Sequence, residues 1–220
     1  MIARPFRLPA HLLAALTWVL LAWAATTPAV AQTPDPPSLE VELRGGGSAG
    51  KLSSTASGME FDPGLALAGA VMVPVTEFLA GYIGYSRVSF GCSEGFCSGA
   101  DVELGSHGAS AGVEARWRSL RVFGGGLLHE GRSTWRWYTG TPDDGPARGS
   151  SRSGWGLGLE AGAGIRVPVR DGFSVAPGFR YSRFRASFPD SPREPGADGD
   201  VMSHLTVEMG VRFALPEVGR

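Results

Sequence analysis

The residues that could do chemistry are few, and their spacing limits each of them. A hydrolytic relay needs a nucleophile, a base and an acid within hydrogen-bond reach. Ser203 and His204 are adjacent in the chain, yet neighbouring residues of an extended strand point to opposite faces. His204 and Glu208 would stand roughly 13 Å apart along such a strand. His107 is expected to face outward or sit near a rim, and His129, next to Glu130, to face inward; both read as structural. Cys92 and Cys97 are the only two cysteines. Their five-residue spacing within a Gly-containing segment suits a local disulfide in an oxidising compartment. It lacks the two-residue spacing of a redox pair, and two cysteines without a nearby histidine are too few for a metal. The Gly45-Gly46-Gly47 and Gly124-Gly125-Gly126 runs do not follow a phosphate-loop pattern. No cofactor is expected.

The composition excludes several classes. Of 220 residues, 43% are hydrophobic and 19% charged, with a net charge of −1, which rules out a disordered tail and a basic nucleic-acid binder. At the amino end Arg4 and Arg7 precede the apolar stretch Leu12–Ala25, and Ala29-Val30-Ala31 offers a small-x-small cleavage site. That is the pattern of a secretory signal peptide over residues 1–31. Its apolar run falls short of the roughly 20 residues that span a bilayer as a helix. Residues 32–37 read as a linker, 38–215 as one domain and 216–220 as a short tail.

Within 38–215 the dominant signal is a period of two, the mark of strands with two different faces. From Trp155 to Val169 every odd position is apolar, whereas the even positions carry Gly, Glu160, Arg166 and Pro168. From Val201 to Leu215 the odd row is apolar except for Ser203. Eight strands are expected at about 38–47, 63–75, 77–91, 102–117, 119–135, 155–169, 172–188 and 201–215. Short connections alternate with long ones near 48–62, 92–101, 136–154 and 189–200, as in an up-and-down barrel with turns at one end and loops at the other. The chain is therefore read as all-β, an eight-stranded antiparallel up-and-down transmembrane barrel.

Face composition orients this barrel. The apolar face, bordered by Phe78, Trp117, Phe173 and Phe213 at the turn end and Phe90, Trp135 and Trp155 at the loop end, suits lipid with aromatic girdles. The opposite face, mostly small residues with isolated charges, suits a narrow lumen. A soluble barrel would reverse this arrangement. By parity the lumen would hold Glu40, Glu42, Glu77, Glu114, Glu160 and Glu208 with Arg44, Arg87, Arg116, Arg121, Arg166, Arg180 and Arg212. Charges so confined persist only when paired and hydrogen-bonded, so a plugged lumen is expected.

This pattern resembles the eight-stranded outer-membrane barrels of Gram-negative bacteria, the group that includes the OmpA transmembrane domain and the OmpX/Ail proteins. The closing segment, with Glu208, Gly210, Phe213 and Leu215, is similar to that group's assembly signal of polar-x-Gly-x-x-aromatic-x-hydrophobic, although Pro216-Glu217-Val218-Gly219-Arg220 follow it. The resemblance implies an outer-membrane location, contact with outer-membrane lipids and lipopolysaccharide, and recognition by the barrel assembly machinery. It implies a non-catalytic structural or interaction role, with a small pore and a lipid-modifying enzyme as alternatives. The lipid A deacylases of similar architecture carry His-x-Ser-Asn, and this chain has no Asn. Surface work falls to the loops, foremost 136–154, where Arg136, Trp137, Tyr138, Asp143, Asp144, Arg148 and Arg152 are candidate contacts for sugars or another surface ligand.

Overall fold

In a computed structural model the described residues are 39–53, 58–92, 100–137, 147–186 and 200–215. The expected signal peptide, linker and carboxyl-terminal tail lie outside them. Ten strand segments form one sheet: β1 (Glu40–Ser53), β2 (Gly58–Glu60), β3 (Asp62–Pro74), β4 (Leu79–Cys92), β5 (Ala100–Trp117), β6 (Leu120–Trp137), β7 (Ala147–Ile165), β8 (Val167–Arg170), β9 (Phe173–Arg185) and β10 (Val201–Ala214). Both β2 and β3 pair with β1, and both β7 and β8 pair with β9, so each couple is one strand with a local break. The second break has a simple cause. Ladder register sets Pro177 opposite Ile165, and proline has no N–H to give.

Eight strands result, each antiparallel to its sequence neighbours, and the β1–β10 pairing closes the sheet into an up-and-down barrel. Closure satisfies every strand edge along the paired region. At one end the turns are tight. Arg118-Ser119 links β5 to β6 with Arg118 at φ 55°, and Asp171-Gly172 links β8 to β9 with Gly172 at φ 70°. The Leu215 amide donates to the Leu39 carbonyl at 2.7 Å, which ties the two ends of the barrel's chain together at this turn end.

The turn between β3 and β4 corrects one expectation. It occupies residues 75–78, where the Val75 amide donates to the Leu79 carbonyl and the Phe78 amide to Thr76 Oγ1. Glu77 lies in this turn and is exposed, so it is not a lumen residue. At the other end the strands run further than expected. β5 and β6 have 18 residues each and β7 has 19, with Trp137 still paired to Ala147. The anticipated 136–154 loop thus contracts to 138–146.

Alternation along the strands gives the barrel two distinct walls. Leu65, Leu67, Ile83, Val113, Leu157, Leu159, Val207 and Met209 are all exposed on the outside. Phe78, Trp117 and Trp155 are exposed at the borders of this apolar belt, as expected of girdle residues. Phe90 is not among them: it is 1% exposed and lies in the lumen. Nothing is described of the Trp135 side chain.

Candidate functional site

The lumen is filled in two storeys. Toward the turns sits a charge network centred on Arg212, whose guanidinium donates to Glu114 Oε1 and Oε2, both at 2.8 Å, to Glu42 Oε2 at 2.9 Å and to Glu40 Oε2 at 3.3 Å. The planar fork of arginine matches a carboxylate in this two-pronged way. Arg121 donates to Glu42 at 2.6 Å and to the Ala176 carbonyl. Arg116 bridges Glu40 at 2.6 Å and Glu114 at 2.8 Å. Arg166, at the mouth, reaches Glu40 at 3.1 Å and Ser174 Oγ.

A second charged cluster lies deeper. Arg44 donates to Glu208 at 3.0 Å, Arg180 lies 3.2 Å from Glu208 and 3.8 Å from Glu160, and the Tyr82 hydroxyl donates to Glu160 at 2.7 Å. Phe123 separates the two clusters, with Arg44 and Arg121 each stacked against its ring. Between them remains a cavity about the size of one water, lined by Glu42, Arg44, Met72, Tyr82, Glu114 and Phe123.

Eleven of the thirteen predicted lumen charges therefore meet in these clusters. The exceptions are Glu77, in its turn, and Arg87, which is exposed on the outer wall. Ala80, Tyr82, Ser86 and Val88 face inward on β4, so an odd-numbered residue such as Arg87 must face out.

The storey nearer the loops is apolar, which the sequence did not suggest. Phe61, Val88, Phe90, Leu104, Leu127, Phe184 and Met202 form one buried cluster there. His129 and His204 border it: His129 packs against Phe184, with Nε2 3.2 Å from Ser86 Oγ, and His204 packs against Phe90. Hydrophobicity could not have revealed this layer, because its aromatics look like lipid-facing ones. Only strand parity separates the two.

The remaining predicted residues fall as follows. Glu208 lies in the lumen network, and a Cβ at Gly210 would come within 2.6 Å of Glu42 Oε1, so glycine there makes room for that carboxylate. Phe213 and Leu215 face outward and are exposed. Arg136, Trp137 and Arg148 belong to strand backbones rather than to a loop, and Arg152, in β7, is exposed. Tyr138, Asp143, Asp144 and Cys97 lie outside the described residues, and with Cys97 the expected Cys92–Cys97 disulfide.

His204 and Ser203 are both buried, at 2% and 6% exposure, but the alternation of an extended strand sets their side chains on opposite faces. On the outer wall His107 Nε2 lies 3.4 Å from Glu130 Oε2, with the His107 ring against Tyr85 and Trp155. The same-face neighbours of His107 on its own strand are Gly105 and Ala109, neither of which carries a hydroxyl. Among the described residues no group of three His, Cys, Asp or Glu is placed to hold a metal.

No protein-family model matches the chain, and no curated protein matches its sequence. Solved structures do match. The chain is similar to Neisserial surface protein A at 19% identity and a TM-score of 0.50, over 82% of this chain and 100% of that one. It is similar to Ail, the attachment invasion locus protein of Yersinia pestis, at 14% identity and a TM-score of 0.50, over 80% and 99% of the two chains. A further structure of Ail, in complex with the heparin analogue sucrose octasulfate, matches at 13% identity with the same TM-score and coverage. The chain thus has the fold of the eight-stranded outer-membrane β-barrels.

Proposed function

We propose that this protein is an outer-membrane β-barrel whose lumen is closed by its own side chains and whose work is done at the loop end, without catalysis. The carrying observation is the inversion of the two walls: Leu65, Leu157 and Leu159, each 70% exposed or more, stand on the outside while Arg121, Arg180 and Arg212, each 2% exposed or less, are packed inside. Water does not favour so broad an apolar surface, and a lipid bilayer does. The partners on this reading are outer-membrane lipids, lipopolysaccharide included, and, during biogenesis, the assembly machinery that reads the Phe213 and Leu215 segment.

The closed lumen is supported by the paired clusters and by the apolar storey stacked on them. Eight strands leave an interior just wide enough for side chains. The non-catalytic reading is supported by the burial of the two inward histidines, His129 and His204, each 2% exposed or less and packed against Phe184 and Phe90.

The test is to refold residues 32–220 with vesicles of phosphatidylcholine and digest with protease. The proposal expects a vesicle-bound fragment containing β1 to β10 with cleavage at one end only. A soluble, monomeric and fully folded chain that ignores the vesicles would overturn it.

A further inference from the structure

The outer wall carries an arrangement that the barrel itself does not need. A bulge interrupts the β6–β7 ladder between Glu130 and Arg132, with Gly154 at φ 68° and the Gly131 amide donating to Ser153 Oγ at 2.7 Å. Before the bulge Glu130 pairs with Trp155; extended without it, that register would set Arg132 against Ser153 and Arg136 against Gly149. With it, Arg132 stands opposite Arg152, and four residues further Arg136 stands opposite Arg148. The irregularity therefore sets the like charges of Arg132 and Arg152 opposite each other. Like charges directly opposite on neighbouring strands are destabilising, and bulges commonly re-aim side chains at functional positions.

Arg132 and Arg152 are both exposed, and among the described residues neither has a carboxylate at ion-pair distance. Two outward carboxylates flank Arg132: Glu130, two residues before it on β6 and engaged with His107, and the exposed Glu103 of β5, which stands opposite Thr134. Cations at the turn end are treated differently, since Arg118 and Arg170 lie over the rings of Trp117 and Phe173. The loop-end border carries four further exposed cations, Lys51, Arg87, Arg183 and Arg185.

The pair has a definite height. It lies just above Trp155, and Leu157 and Leu128 face each other below that. Five residues at about 3.3 Å, tilted by about 45°, place Arg152 about 12 Å above the Leu157 row, at the depth of headgroups rather than acyl chains. We propose that Arg132 and Arg152 bind the phosphate of a lipid headgroup in the leaflet at the loop end, with the lipid's chains lying along Trp155, Leu157 and Leu128. Guanidinium pairs match phosphate geometry, and the bound dianion removes the repulsion between them. This inference rests on the membrane reading above.

The test uses the folded barrel in phosphatidylcholine vesicles containing a small fraction of spin-labelled phosphatidic acid, with spin-labelled phosphatidylcholine as reference. The chain should immobilise phosphatidic acid preferentially. Arg132→Gln with Arg152→Gln should lower that preference about tenfold, and Arg118→Gln with Arg170→Gln should leave it unchanged. No preference in the unaltered protein, or equal loss in both double variants, would overturn the site. Preference for soluble sucrose octasulfate with none for phosphatidic acid would overturn the lipid assignment in favour of a soluble polyanion. Failure to enter vesicles at all would contradict the membrane reading instead, and is scored by flotation before any spectrum is taken.

Discussion

Arg212 touches three carboxylates, Glu40, Glu42 and Glu114, and is 1% exposed. Removing one member of a buried ion cluster leaves its partners charged and unpaired, which costs about 3–5 kcal/mol. Arg212→Ala should therefore lower the unfolding free energy of the barrel in detergent by that amount, read as a lower denaturant midpoint. Glu160→Ala should act in the same direction, because it leaves the Tyr82 hydroxyl without its acceptor and Arg180 with Glu208 alone. Arg87→Ala, on the outer wall, should stay within about 0.5 kcal/mol. An equal effect of Arg87→Ala and Arg212→Ala would show that the inward and outward assignments are wrong. At this scale the sequence was informative where strand parity could be counted from an unambiguous apolar row. It misplaced Glu77 because turn length does not follow from composition. Arg87 and Phe90 were misplaced because β4 has aromatic residues on both faces, Tyr82 inside and Tyr85 outside, so residue type could not fix its phase.

The strands show what the glycines position. Gly112 and Gly125 face each other across β5 and β6, and a Cβ on either would come within 2.8 Å of the Tyr82 hydroxyl. Their bare backbones leave the gap that Tyr82 crosses to reach Glu160. Gly112→Val should cost about 3 kcal/mol or more through overpacking, read as loss of folded barrel on refolding. Gly126→Val, where nothing lies within 4 Å of an added Cβ, should refold normally; similar losses in both would contradict the packing argument. The length of β7 was not legible, because above the apolar belt its Ser, Gly and Arg residues have the composition of a loop, whereas β5 and β6 run only two residues past their expected loop-end bounds. Exchanging residues 138–146 for a neutral Gly/Ser linker should accordingly keep the barrel's midpoint while reducing any surface binding by the loop end. Unchanged binding would remove this segment from the functional account.

Across the whole molecule, the same two-residue period yields a wall for lipid and a filled interior, and the fold class was fully legible from it. The interior's division into charged and apolar storeys was not, since both storeys fill one narrow space and only closure of the ring shows which side chains meet. Charge pairing, aromatic packing and ring closure converge on one central claim, a lipid-embedded barrel with no continuous water path. Single-channel recording on residues 32–220 in a planar bilayer, with insertion verified independently, tests that claim most directly. The account predicts insertion with no steady current; stable, reproducible conductance steps from inserted protein would contradict it.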